Sequence, residues 1–384
     1  MSRRALKAFL TMIGAITLLL GTVSVAQAGR LETLTLIRHA ESFGNVPGAG
    51  IDTKVPGPVL TPYGEQQALD IAPSLALAGF DGINYSNMIR TWQTAQPLID
   101  LQPALPTAEY PGLREISAGI FEGSPIDSGL GRIGYFLIPL TWALGLRSLP
   151  IPLGEGGNEF NARYSDAIAS VIAAGETDPV IFSHGAAIMV WTAMNVDNPD
   201  IGLLLSHPLG NTEQVVVTGN PEDGWMLQSY AGIPVSQNPN LLTQLFVNTR
   251  DLIVAPQTAV YNVVQAVRTL NLQNIVIAVG DGVVSVLRAG VDFVVNSVTD
   301  IVAAIIGVLP GAPAPGAVTA TTVAPPAPAA VRLQASVRRN LRATEVPASA
   351  AAGRQSGAAH PDAHSAAKAK PAAATHRSAR KAAA

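Results

Sequence analysis

The stretch L-T-L-I-R-H-A-E-S-F-G-N, from Leu34 to Asn45, constrains this chain more than any other. Leu34 to Ile37 are apolar or β-branched, the pattern of a short buried strand. Arg38 and His39 follow without a spacer, and Ser42, Gly44 and Asn45 supply turn-forming groups. A strand that ends in a cation and an imidazole puts both at the carboxyl edge of a sheet, where open α/β folds bind ligands. The planar guanidinium of Arg38 suits phosphate oxygens, and beside it His39 is a candidate nucleophile toward phosphorus. The plain alternative is a surface Arg-His pair after an edge strand.

Later segments repeat and extend this logic. Pro47 to Pro58, rich in Gly and Pro, reads as a loop. Thr61 is a good N-cap and Pro62 a good first residue for a helix whose apolar side is Leu69, Ala72, Leu75 and Leu77. Asp81 to Ser86 predicts a second strand. Ser86 can cap the next helix, which carries Arg90 in its first turns, where a cation opposes the helix dipole. That placement favours a ligand role for Arg90 over a surface one. Glu115 and Glu122 flank a glycine-bearing apolar stretch, and either becomes a proton donor if burial raises its pKa; otherwise both are ordinary solvated acids. Pro179 to Ser183 is again an apolar strand ending in a histidine, His184, with Gly185 before a helix from Ala186 to Met194. A lone strand-end histidine is otherwise a structural hydrogen-bonding group. Gln214 to Thr218 and Trp225 to Tyr230 read as two closing strands.

Taken in order, Arg38-His39, Arg90, Glu115 and His184 resemble the histidine phosphatase superfamily, in the branch shared with cofactor-dependent phosphoglycerate mutases. The resemblance also rests on Ser42, Gly44 and Asn45, on Leu60-Thr61 with Gly64 and Gln67-Ala68, and on Gln93-Thr94-Ala95. Gly119, Glu122-Gly123, Ser183-His184-Gly185 and Asn211-Thr212 complete it. Ala40 stands where glycine is commoner in the family.

The resemblance implies an α/β fold, a three-layer sandwich with a central, mostly parallel sheet flanked by helices. It implies in-line attack by His39 on a small phosphomonoester to give a phosphohistidine. Arg38, Arg90, His184 and Asn45 would surround the phosphoryl oxygens, with Ser42 and Gly185 beside them. Glu115 would protonate the leaving alcohol and then activate water. No metal or other cofactor is implied. Hydrolysis is favoured over a mutase reaction because nothing in the chain demands a phosphoenzyme shielded from water. The strongly apolar segment Leu130 to Leu153 is also unlike a sugar-acid site; it reads as a lid over an apolar leaving group, as a membrane contact, or as helices packed on the core. The alternatives are a phosphoglycerate mutase-like phosphotransferase and a non-catalytic envelope protein that binds phosphorylated ligands.

Composition bounds the rest. The chain has 384 residues and a net charge of −3, so nothing global points to nucleic acid. It has no cysteine, which excludes disulfides, thiolate zinc sites and a cysteine nucleophile. Residues 1–28 read as a signal peptide: Arg3, Arg4 and Lys7, an apolar run from Phe9 to Val25, then Ala26-Gln27-Ala28. The expected location is secreted or cell-envelope, by a Sec or a twin-arginine route, with an uncleaved anchor as the alternative. The catalytic domain is expected over 29–232, and Ile233 to Pro239 reads as a linker.

An apolar helical region is expected over 240–309. Pro256 separates helices Leu241 to Val254 and Ala259 to Leu270. Val284, Leu287, Val291, Val294, Val298, Ile301 and Ile305 then draw one stripe, with Arg288, Asp292, Asn296 and Asp300 on another face. Packing of that stripe within a small helical domain comes first, and association with a membrane surface or the cell envelope second. Residues 310–384 are rich in Pro and Ala and basic, and read as a disordered tail. His360, His364 and His376 there are too dispersed for a metal site.

Overall fold

A computed structural model describes residues 30–308. The expected signal peptide and basic tail lie outside these described residues. Seven strands form one sheet: β1 (Glu32–Arg38), β2 (Gly82–Tyr85), β3 (Thr107–Glu109), β4 (Pro179–Ser183), β5 (Gln214–Asn220), β6 (Gly224–Tyr230) and β7 (Ile233–Pro234). Their order is β3-β2-β4-β1-β5-β6-β7. The half from β3 to β1 is parallel, and β5, β6 and β7 continue it as an antiparallel meander. The sheet is thus mixed, and Ile233–Pro234, read as linker, is instead its last strand.

The period of two along the strands builds the layers. Leu34 and Leu36 of β1 and Ile181 of β4 point to one face. There they meet Phe160, Tyr164 and Ile168 of α4 (Gly157–Ala173) and Ile188 and Trp191 of α5 (Gly185–Asn195). Ile37, Val180 and Phe182 point to the other face, against Ala72 and Leu75 of α1 (Pro62–Ala76) and Ala95 and Leu98 of α2 (Ile89–Leu101). Every residue of β4 is buried, as expected of a parallel strand covered on both sides.

In α1 the cap forms as expected: the Thr61 hydroxyl accepts from Gly64 N at 3.0 Å. Its buried side is Gly64, Ala68, Ala72 and Leu75, whereas Leu69 and Leu77 face solvent. The reason is Gly64, where a Cβ would stand 1.9 Å from the Glu41 carbonyl, so the helix lies close on the loop after β1 and turns that side inward. The segment Leu130 to Leu153 begins as α3 (Gly129–Ala143), which buries Tyr135, Pro139, Trp142 and Ala143 and leaves Leu130, Ile133, Phe136 and Leu137 exposed. A short α6 (Ile201–Ser206) precedes β5.

The chain ends, among the described residues, in two long helices, α7 (Leu241–Arg268) and α8 (Leu272–Val308). Pro256 does not break α7. The helix is held on both sides of it, by α8 along its length and by Gln257, whose side chain donates to Gly145 O at 2.7 Å. The stripe from Val284 to Ile305 is not packed either. It faces outward, and α8 presents Asn274, Ala278 and Gly282 to α7 instead, because small side chains let the two backbones approach.

Candidate active site

The parallel register of β1 and β4 assembles the centre. Arg38 pairs with Ser183, so His39 and His184 emerge side by side at the carboxyl edge of the sheet. His39 N donates to Ser183 O at 3.0 Å, and the two imidazoles lie 5.2 Å apart, edge to face. β2 adds Ser86 at the same edge, since Tyr85 pairs with Phe182. From β1 the chain goes on to the β2 side and from its neighbour β4 to the β5 side, and such a divergence between adjacent parallel strands is where open α/β sheets form a crevice.

His39 is buried and its proton can be placed. Nδ1 lies 2.7 Å from the carbonyl of its own neighbour Ala40, which only accepts, so Nδ1 carries the hydrogen. Nε2 accepts from Arg90 Nε at 3.0 Å. Burial, then Arg90 and Arg38, hold the imidazole well below its ordinary pKa of 6.5. It is a neutral ring with its lone pair on Nε2. Asn211 fixes the backbone here, donating from Nδ2 to His39 O at 2.8 Å.

Arg38, Arg90 and His184 surround this ring, and each has a buried nitrogen with no protein partner. Arg38 anchors one arm on Leu209 O at 2.5 Å and leaves Nε unpaired. Arg90 leaves Nη1 unpaired. Gly57, at φ +73°, makes room for that atom: a Cβ there would lie 2.6 Å from it. His184 contacts Ser86 Oγ through Nε2 at 2.7 Å and leaves Nδ1 unpaired. Ser86 was expected to cap α2; the structure gives it this different task, because the α2 cap position falls to Met88 and the hydroxyl turns to the histidine. Burial, then Arg90, hold His184 well below 6.5. A buried unpaired donor costs about 1–3 kcal/mol, so the two guanidinium N–H groups left over here, beside the unpaired imidazole nitrogen of His184, describe a site built for an anion with several acceptor oxygens.

Glu115 sits opposite the helix entrance. Its carboxylate accepts from Ile116 N and Ala187 N, each at 2.9 Å, so it rests on the N-terminus of α5. Burial is the largest influence on it and raises its pKa, opposed by those N–H bonds and by Arg90 and Arg38. Of the two glutamates singled out in the sequence, Glu122 is elsewhere, holding the amide and hydroxyl of Thr53. Asn45 and Ser42 brace each other: Asn45 Oδ1 accepts from Ser42 N at 3.1 Å and from its hydroxyl at 3.0 Å. Ser42 therefore shapes the loop after β1, with its hydroxyl engaged there. Gly185 opens α5 against Arg38, where a Cβ would come 3.1 Å from Arg38 Nε.

The model of the histidine phosphatase superfamily (branch 1) matches residues 34–231, about half of the chain. The chain belongs to that superfamily. Among relatives, the PE-PGRS family protein PE_PGRS11 of Mycobacterium tuberculosis is 42% identical over 281 residues, which are 69% of this chain and 47% of that protein. The chain thus spans about half the length of this relative. The probable phosphoglycerate mutase GpmB of Yersinia pestis (strain Pestoides F) is 32% identical over 155 residues, 40% of this chain and 69% of that one. A solved mycobacterial glucosyl-3-phosphoglycerate phosphatase complexed with VO3 aligns at 21% identity and a TM-score of 0.42, over 52% of this chain and 98% of that one.

Two residues of this histidine phosphatase domain escaped the sequence reading. Arg163 in α4 donates to Gly112 O, Arg114 O and Glu115 O and pairs with Glu155 at 2.6 Å, so it holds the Glu115 loop in place. Tyr135 of α3 donates to Ile116 O at 2.9 Å and supports the same loop from the other side. Arg163 lies three residues after Phe160 and four before Ala167, on the apolar side of its helix. A cation at that spacing was the available signal.

Proposed function

We propose that this chain is an exported phosphomonoesterase that works through a phosphohistidine at His39 without a metal ion. The observation that carries the reading is the neutral Nε2 of His39 inside a cluster of unpaired nitrogens from Arg38, Arg90 and His184. In the free enzyme the Nε2 lone pair takes a hydrogen bond from Arg90. A phosphoryl oxygen that draws the guanidinium onto itself frees that lone pair. Nε2 then attacks phosphorus, the ester P–O bond breaks, and Glu115 gives its proton to the departing alkoxide. In the second half Glu115, now ionised, takes a proton from water as the water attacks phosphorus and the P–N bond breaks. The three cationic or N–H-bearing side chains hold the charge on the non-bridging oxygens throughout. Export rests on the leader pattern of residues 1–28.

Hydrolysis of an aryl phosphate in the presence of a chelator, compared with His39→Ala, tests this directly. Turnover by the parent that vanishes in the variant supports the reading. No turnover across pH and several esters overturns it. The 32% identity to a probable phosphoglycerate mutase favours a second reading, transfer to a phosphoglycerate. If the phosphohistidine is discharged faster by a phosphoglycerate acceptor than by water, that reading replaces hydrolysis.

A further inference from the structure

The pair α7–α8 is built inside out. Its interior holds small and polar side chains: Asn274 and Ala278 are buried, and a Cβ on Gly282 would stand 3.0 Å from that of Ala259. Asn248 donates across it to Asp300 at 2.9 Å and to Ser297 at 3.3 Å. The large side chains point the other way. Val284, Leu287, Val291, Val294, Val298, Ile301 and Ile305 are between 41 and 67% exposed. In water this arrangement forfeits the burial that stabilises helical hairpins.

The outer face of α8 has the dimensions of a phase rather than of a partner. At 100° per residue its exposed Val, Leu and Ile side chains cover about half the helix circumference. They continue from Leu272 to Ile306, and the segment is apolar and long enough to cross a bilayer by length and composition. The charges gather elsewhere. Asp300 is held by Asn248 inside the pair, and Arg288 and Asp292 lie 3.8 Å apart along one rim. A facing helix from a second copy buries a seam of about two residues in seven and leaves the remainder of such an arc wet. Lipid covers all of it. The sequence after Val308 adds charge of one sign: Arg332, Arg338, Arg339, Arg342, Arg354, Lys368, Lys370, Arg377, Arg380 and Lys381 stand against Glu345 and Asp362. That excess complements an anionic surface.

We propose that α8 lies in the plane of an anionic lipid bilayer, its outer face at the boundary of headgroups and acyl chains, and so docks the catalytic domain on a membrane. The helix lies along the surface rather than through it. Its charged rim faces away from the apolar arc, and α7 is tied to the catalytic domain by Arg250 and Gln257.

Flotation of the full chain with vesicles of phosphatidylglycerol and phosphatidylcholine tests the proposal. The parent is expected to float with the vesicles. Leu287→Gln, Val291→Gln and Val294→Gln combined are expected to lower the partition coefficient at least tenfold, with turnover of a soluble aryl phosphate unchanged. That variant keeps the leader and the basic tail, so equal flotation of variant and parent assigns the contact to those segments and overturns the proposal. Because the chain has no cysteine, Val291→Cys offers a unique site for an environment-sensitive dye. Its emission should shift to the blue with vesicles, whereas a dye at Gln66→Cys on α1 should not respond. A parent that stays with the soluble fraction and forms a dimer that the triple variant dissolves makes this face a contact between copies, and the proposal fails.

Discussion

The histidine phosphatase domain and the helical pair that follows it use similar residues in opposite ways. Around the sheet, Leu36, Ile37 and Phe182 are completely buried and polar groups collect at one edge. In the α7–α8 pair, Asn248, Asp300 and Gly282 face inward while Leu287 and Val294 face out. Each region leaves one kind of group without its natural surroundings. At the sheet edge these are nitrogens that need oxygen acceptors; on α8 they are aliphatic side chains that need an apolar medium. Hydrophobicity alone does not decide what is inside. Helix and strand period, together with what the element meets, decide it, and the groups left over mark where each region meets another molecule.

The contrast can be broken most sharply at its polar end. His39→Ala should lower kcat/KM on an aryl phosphate by roughly 10⁴-fold or more. Arg38→Met or Arg90→Met, read by the same assay, should each lose about 2–4 kcal/mol of transition-state stabilisation, or roughly 10²–10³-fold. Ser86→Ala, which removes only the hydroxyl that orients His184, should cost about tenfold, mostly in kcat. A kcat/KM for Ser86→Ala as low as that of Arg90→Met would mean that the hydroxyl itself meets substrate.

Stability offers a finer test. His39 and His184 are held neutral in the folded chain, whereas each takes a proton near 6.5 when unfolded. Below that pH the unfolded chain binds more protons, so stability falls as pH falls, by up to about 1.4 kcal/mol per pH unit for each histidine. Denaturant midpoints at pH 7 and pH 5 should show this slope reduced in His184→Gln. The smallest effect is expected inside the helical pair. Asn248→Ala should lower stability by about 1 kcal/mol, measured by thermal melting, and leave turnover unchanged.

Much of the centre was legible because strands that end in chemistry-bearing residues are short and local. Leu34 to His39 and Pro179 to His184 each declare a strand and its carboxyl edge within six residues. Parallel pairing then did the rest. What could not be read depends on which face a helix turns inward. Leu69 and Leu77 were placed on the buried side of α1, but the contact of Gly64 with Glu41 rotates that side to Ala68 and Ala72. The spacing of the α8 stripe points first to packing within a small helical domain and second to a membrane surface, and spacing alone gives one apolar face without saying what covers it. Ser86 has the chemistry of a cap and of a histidine partner, and only the register of β2 on β4 separates the two. Arg163 stands out locally as a cation on the apolar side of α4, but the loops it reaches are distant in sequence and only the packed fold brings them to it.

The guanidinium of Arg250 deserves a last thought for anyone who cuts this protein. It is buried, and it donates to Ala193 O at 3.2 Å and to Val196 O at 2.9 Å, at the end of the helix whose other end carries His184 and Glu115. The stretch matched by the family ends at residue 231, well before Arg250. A shortened protein that stops there keeps His39, Glu115 and His184 and the contact of Arg147 with Met194 O, but exposes the last turn of that helix and loses the second of the two cations that complement its dipole. A piece that ends at residue 231 is therefore expected to be less stable than one that runs through Arg250, toward the middle of α7.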